Sequence, residues 1–162
     1  AVIGLITVSF NNAFVPWLFE NLNKNSLAIK RKIVKLTYLY FVSLLICAIL
    51  LILLFPFLVN VFVGSSYKSV NTYSAFIIFG FVFQGMYFMV TNYITYVEKT
   101  YLLAASTISV ALLKVPITYY SIIWFGEIGA ALSYAITFFI FFIATWILSL
   151  RVYKMPWFTF FK

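Results

Sequence analysis

Apolar residues run along this chain in long stretches broken by short polar turns. The first covers about 1–17 and stops at Pro16–Trp17. The second covers 36–58 and runs out just after Phe55 and Pro56. Three more cover 73–97, 100–124 and 129–150. About 20 apolar residues in helical form cross a bilayer, and each stretch from the second onward is long enough. Helix is the expected form, because an open sheet cannot satisfy its backbone in lipid. The pattern predicts an all-α fold: a polytopic transmembrane helix bundle of four full spans plus one partial N-terminal span. The opening AVIGLITVSF is apolar from its first residue, with no basic stretch before it. That is not a signal peptide. It reads as the middle of a spanning helix, and the chain as a fragment of a longer protein.

The stretch between the first two segments is the long polar one. Residues 20–35 read ENLNKNSLAIKRKIVK. Asn25 or Ser26 suits a helix start. Leu27, Ile33 and Val34 among Lys30, Arg31, Lys32 and Lys35 suggest a basic stretch lying in the interface. A plain solvated loop that anchors orientation explains it equally well. The tail carries Arg151, Lys154 and Lys162, whereas the turn near 64–71 has Lys68 alone and that near 126 has Glu127. By the positive-inside rule the basic loop 20–35 and the C-terminus are cytoplasmic. The Glu98–Lys99 turn then falls on the same side, and 64–71 and 125–128 face outward. The alternation closes without conflict. Trp17, Tyr67, Tyr101, Trp124 and Trp157 fall near the expected interfaces, where aromatic belts sit.

Composition narrows the function. Of 162 residues, 65% are hydrophobic and 9% charged. A soluble domain carries about 25% charge, so this chain cannot cover a water-facing surface. There is no His and no Asp, and Cys47 is the single cysteine. An intrachain disulfide, a Cys/His zinc site and a Ser-His-Asp or Cys-His device are therefore excluded. The acids are Glu20, Glu98 and Glu127. No Walker pattern is present, so nothing argues for ATP hydrolysis. The chain reads as no enzyme, with no cofactor and no metal. The net charge of +8 flanks apolar spans. The basic partner is thus membrane lipid rather than nucleic acid.

Polar residues inside the spans carry the candidate chemistry. Lys114 lies near the middle of the fourth segment, about 15 Å from either end. An ammonium there costs about 2.5–3.5 kcal/mol on insertion scales, and such residues usually face a bundle interior or a wet cavity. At helical spacing Lys114 shares a face with Thr100, Thr107, Thr118 and Ser121. A polar stripe with one cation suggests a path for an anionic group. The plainer alternative is a snorkelling or locally paired lysine. Pro116 follows and removes a backbone hydrogen bond, as a kink would need. In the third segment Tyr73, Gly80, Gln84, Tyr87, Thr91, Thr95 and Glu98 form a comparable stripe. Cavity lining and interhelical hydrogen bonding explain it equally well. Asn11 and Asn12 lie deep in the first segment, where packing is the simpler role. Gly126, Gly129, Ala130, Ser133 and Thr137 make a small-residue packing seam.

Four passages together resemble a known family. WFGEIGAALSYA (124–135) resembles the G-x-x-G-A-A stretch of bacterial polysaccharide flippases. These are the Wzx-type O-antigen transporters of the multidrug/oligosaccharidyl-lipid/polysaccharide exporter superfamily. NNAFVPWLFENL resembles the family's asparagine-bearing helix before a basic loop. FPFLVNVFVGSSYKS resembles its outward turn, and YITYVEKTYLLAASTISVALLKVP its short charged turn between helices. Order and spacing, more than any one motif, carry the likeness. Lys114 departs from the Asn or other polar residue usual at that place.

The resemblance implies the C-terminal part of a two-lobed transporter in the bacterial inner membrane. Such proteins flip undecaprenyl-pyrophosphate-linked oligosaccharide for polysaccharide and O-antigen (lipopolysaccharide) biosynthesis. The expected partners are the lipid-linked oligosaccharide, membrane lipid and the missing N-terminal lobe of the same protein. Lys114 is then the phosphate-attracting residue, with Gln84, Thr107, Thr118 and Asn11 as hydrogen-bonding liners of the pathway. The rivals are a cation-coupled multidrug exporter of the same superfamily, which favours acids inside the membrane, and a membrane-bound sugar polymerase or acyltransferase, which needs a catalytic His or Asp or a long outward loop. A purely structural membrane subunit would not require a polar stripe.

Overall fold

A computed structural model describes residues 2–62 and 70–158. Among these, the chain forms α1 (Val2–Asn23), α2 (Leu27–Phe62), α3 (Val70–Tyr96), α4 (Thr100–Phe125) and α5 (Glu127–Val152). The architecture is all-α. The four helices α2 to α5 are long and apolar enough to cross a membrane. The predicted segments 73–97, 100–124 and 129–150 each match a helix to within a few residues. Tyr67, Lys68, Lys162 and the outward turn near 64–71 lie outside the described residues.

Two boundaries differ from the sequence expectation. The stretch 20–35 is not a loop: α1 runs to Asn23, a turn occupies 24–26, and α2 begins at Leu27. Pro16 and Pro56 lie inside helices rather than at their ends. Proline costs one backbone hydrogen bond, and transmembrane helices tolerate that loss where neighbours and local adjustments compensate. At 36 residues α2 is about 54 Å long, well beyond the ~30 Å hydrocarbon core. The excess carries its basic first turns out of the apolar layer.

The turns are tight. Asn25 takes a left-handed φ of 43°, which asparagine adopts readily. At the end of α3, the Lys99 amide donates to the Ile94 carbonyl (3.2 Å) and the Glu98 amide to that of Thr95 (3.0 Å). This is the Schellman closure, whose left-handed position normally holds glycine. Here it holds Glu98, at φ 59°. The Glu98→Gly variant is therefore expected to be more stable by about 1 kcal/mol. A higher thermal midpoint in detergent checks this, and an unchanged or lower midpoint contradicts it.

α3 is the central helix. In its apolar 18-residue stretch 44% of residues are buried, against 17% in that of α2 and 11% in that of α4. It packs against α1, α2 and α5, while α4 leans mainly on α5. The main core joins Phe41, Leu44 and Ala48 of α2 to Val82, Met86 and Met89 of α3, with Ile3 of α1 and Phe142 of α5. Small residues permit these approaches. A Cβ at Gly85 would meet Thr7 of α1 at 2.6 Å and Leu44 of α2 at 2.9 Å. A Cβ at Gly80 would collide with the Tyr134 ring of α5.

A second cluster closes one end of the bundle. Leu18 and Leu22 of α1, Ile33 and Val34 of α2, and Tyr93 of α3 surround Trp157. The chain after α5 turns back to place that indole there, 2% exposed. Trp157 is thus a core residue rather than a member of an interfacial belt. Lys30 caps the Tyr153 ring at 5.0 Å, and Tyr96 donates to Asn23 at 2.8 Å. The connectivity brings the ends of α1, α3 and α5 and the start of α2 to this side. Lys24, Lys30, Arg31, Lys32, Lys35, Lys99, Arg151 and Lys154 therefore share one end of the bundle. At the opposite end the Tyr73 hydroxyl donates to Glu127 at 2.8 Å.

Candidate functional site

The polar face of α4 is the most unusual surface of the bundle. Lys114 is fifteenth of the helix's 26 residues, about 21 Å from its start and 16 Å from its end. Its side chain is exposed. Among the described residues it forms no ion pair. With Val115, Thr118, Tyr119 and Ile122 it lines a shallow open cavity of about 390 Å³. Around it the same helix exposes Leu112 and Val115 to 70% each. Exposed apolar surface on that scale is untenable in water and normal against lipid or another helix.

The flank of α4 adjoining this face is held by α5. Thr118 donates to Ser133 of α5 at 3.3 Å, and Ser133 in turn donates to its own helix at Ala130. Ser121 is buried where the backbone of α4 meets Gly129. Thr118 thus bridges the packing seam and the cavity. Thr107 is exposed two turns from Lys114, its hydroxyl bonded back to the Leu103 carbonyl at 2.8 Å. The helix continues through Pro116.

The other expected liners lie elsewhere. Asn11 of α1 accepts a hydrogen bond from Asn92 of α3 at 2.8 Å. Asn92 is buried, so the pair ties two helices together rather than facing the Lys114 cavity. Gln84 is half-buried on α3 and does not line that cavity. The structure therefore joins Lys114 and Thr118 at one surface, keeps Thr107 on the same face, and separates Asn11 and Gln84 from them. The stripes drawn from the sequence do not include Asn92, Ser133 as partner to Thr118, or Tyr119. A polar residue one position off the stripe was the available signal for Asn92, but helical spacing does not say which neighbour it meets.

Glu20, Glu98 and Glu127 all sit in the last or first turns of helices or in a turn between them. Among the described residues no group of His, Cys, Asp or Glu is placed to hold a metal ion. Long apolar helices, an apolar exterior and charges gathered, Lys114 apart, at the ends define a multi-pass α-helical membrane protein. Comparison with protein-family models, with curated proteins and with solved structures gives no match.

Proposed function

We propose that the chain forms one lobe of a transporter that flips undecaprenyl-pyrophosphate-linked oligosaccharide across the bacterial inner membrane, with its basic end in the cytoplasm. The observation that carries this reading is Lys114, exposed at mid-depth with no carboxylate beside it. An ammonium facing lipid there costs about 2.5–3.5 kcal/mol. A water-filled cavity or a facing lobe removes that cost, and a diphosphate passing through such a cavity meets a cation along its path. The placement of basic side chains at one end supports the orientation. The acids at the helix ends weigh against a cation-coupled exporter, which favours acids at mid-depth.

The test uses cells that lack a polysaccharide flippase. The chain joined to its N-terminal lobe is expected to restore surface polysaccharide. Lys114→Leu should lower display about tenfold or more, on the scale of an intramembrane charge worth more than 1.4 kcal/mol, while Lys114→Arg retains it. Full display with Lys114→Leu, at equal membrane levels, sinks the assignment of Lys114. Restoration by residues 1–162 alone sinks the two-lobe reading.

A further inference from the structure

On the side of the bundle away from α4, α1 and α2 diverge. They leave an open groove of about 550 Å³ lined by Phe10, Phe14 and Trp17 of α1 and Leu36, Leu39 and Tyr40 of α2. Phe10 stacks on Tyr40 with ring centroids 4.4 Å apart, and Phe14 leans on Trp17 at 5.3 Å. The Ser43 hydroxyl is satisfied by the Tyr40 carbonyl at 2.8 Å. The lining therefore offers almost nothing polar to a ligand.

The charge at the mouth of the groove says what fills it. Phe10, Phe14 and Trp17 mark one face of α1, and the same spacing carried toward the basic end reaches Asn21, with Lys24 in the turn just past the helix. On α2 the groove face continues from Leu36 to Lys32, one turn nearer that end. Both lysines are exposed. Lys24 is bonded to Glu20 at 3.0 Å, so it contributes less than a full free charge. From the end of α1 at Asn23 to Phe10 the rise is about 20 Å. That is the ~15 Å hydrocarbon depth of one leaflet plus its headgroup layer. An apolar trough one leaflet deep, with cations at the headgroup level, matches a bilayer lipid in length, polarity and charge.

We infer that the α1–α2 groove holds an anionic glycerophospholipid of the bilayer, one acyl chain against Phe10, Phe14 and Leu39 and its phosphate at Lys32 and Lys24. The site is independent of the Lys114 face, and its test does not involve transport. A lysine at a bilayer surface favours an anionic lipid about fivefold. With Lys24 partly neutralised, the pair should prefer an anionic over a zwitterionic lipid about fivefold to tenfold.

Trp17 reports on the groove directly. The intact chain is reconstituted in phosphatidylcholine vesicles containing a small fraction of phosphatidylglycerol or phosphatidylcholine with brominated acyl chains, which quench indole fluorescence on contact. The Trp17 signal is taken as the difference between the chain and its Trp17→Phe variant. Brominated phosphatidylglycerol should quench it at about one fifth of the concentration that brominated phosphatidylcholine needs. Lys24→Gln with Lys32→Gln should remove the preference, and Lys154→Gln should leave it. Equal quenching by the two lipids, or a preference that survives the double substitution, overturns the site. Absence of quenching by either lipid also overturns it, because another protein segment or a second copy then covers the groove. Inorganic phosphate should displace the lipid no better than chloride at equal ionic strength. Specific displacement by phosphate would mean a free-anion site instead.

Discussion

Replacing Trp157 with alanine is expected to destabilise the chain by about 3–5 kcal/mol, the range for truncating a buried large aromatic side chain. The location sets the size of the effect. Inside lipid, a helix that loses a packing contact gains a lipid contact of similar polarity, and the net cost is modest. Trp157 instead follows the end of α5 and is enclosed by protein side chains at the basic end, so its removal leaves a cavity rather than a lipid contact. Its indole meets Tyr38, Tyr93 and Trp146 at centroid distances of 6.0, 5.6 and 5.5 Å. Leu18, Leu22, Ile33 and Val34 complete the enclosure. Alanine keeps the backbone carbonyl that accepts from Tyr38 at 3.3 Å. It removes the reason for the tail to stay where that carbonyl is useful. For a chain of this size, 1 kcal/mol shifts the midpoint by about 2–4 °C, so the thermal midpoint in detergent should fall by about 10 °C. Trp157→Phe should lose far less. A midpoint within about 2 °C of the parent for Trp157→Ala contradicts the role of this residue as the closure of that end.

Gly129→Ala is the second large effect, expected at about 3 kcal/mol. A Cβ there would collide with the Ser121 carbonyl of α4 and come within 2.8 Å of the Ile122 nitrogen. Both neighbours are backbone, so no side chain can swing aside. The turn at Gly126, three residues earlier, closes with an amide-to-carbonyl bond to Ile122 of 2.8 Å and offers no slack. Relief requires α4 to move away from α5. Because α4 is held mainly by α5, the Thr118–Ser133 bond and the cavity beside Lys114 should be disturbed together. Cysteines placed at Thr118 and Ser133 should cross-link in the parent chain and do so poorly beside Gly129→Ala. Equal cross-linking and an equal thermal midpoint contradict the close approach.

The two effects differ in how visible their causes are in the sequence. Gly129 falls in the small-residue series Gly126, Gly129, Ala130, Ser133 and Thr137, so a packing seam is evident in the sequence itself. The Trp157 closure is hidden. A tryptophan a few residues past a span reads as a member of an interfacial belt, and nothing local says that the chain doubles back. Likewise 20–35 reads as a loop because its charges mask its helical continuity. Ile33 and Val34, adjacent and buried, mark the face that packs into the cluster around Trp157. Lys114 stands out from the sequence alone because a mid-span cation is costly wherever it points.

Hydropathy and charge along the chain suffice for the number of helices, the approximate ends of α3, α4 and α5 and the gathering of basic residues on one side. The physical cause is that lipid leaves the backbone no alternative to helix, and each reversal of direction then alternates the sides. Helical periodicity also assigns each polar residue to a face of its own helix. It is silent on the rotation and proximity of the neighbouring helix, which depend on where glycines and aromatics let backbones approach. That is why the fold was needed to pair Asn11 with Asn92, to separate Gln84 from Lys114, to bring Thr118 to Ser133, and to open the groove between α1 and α2.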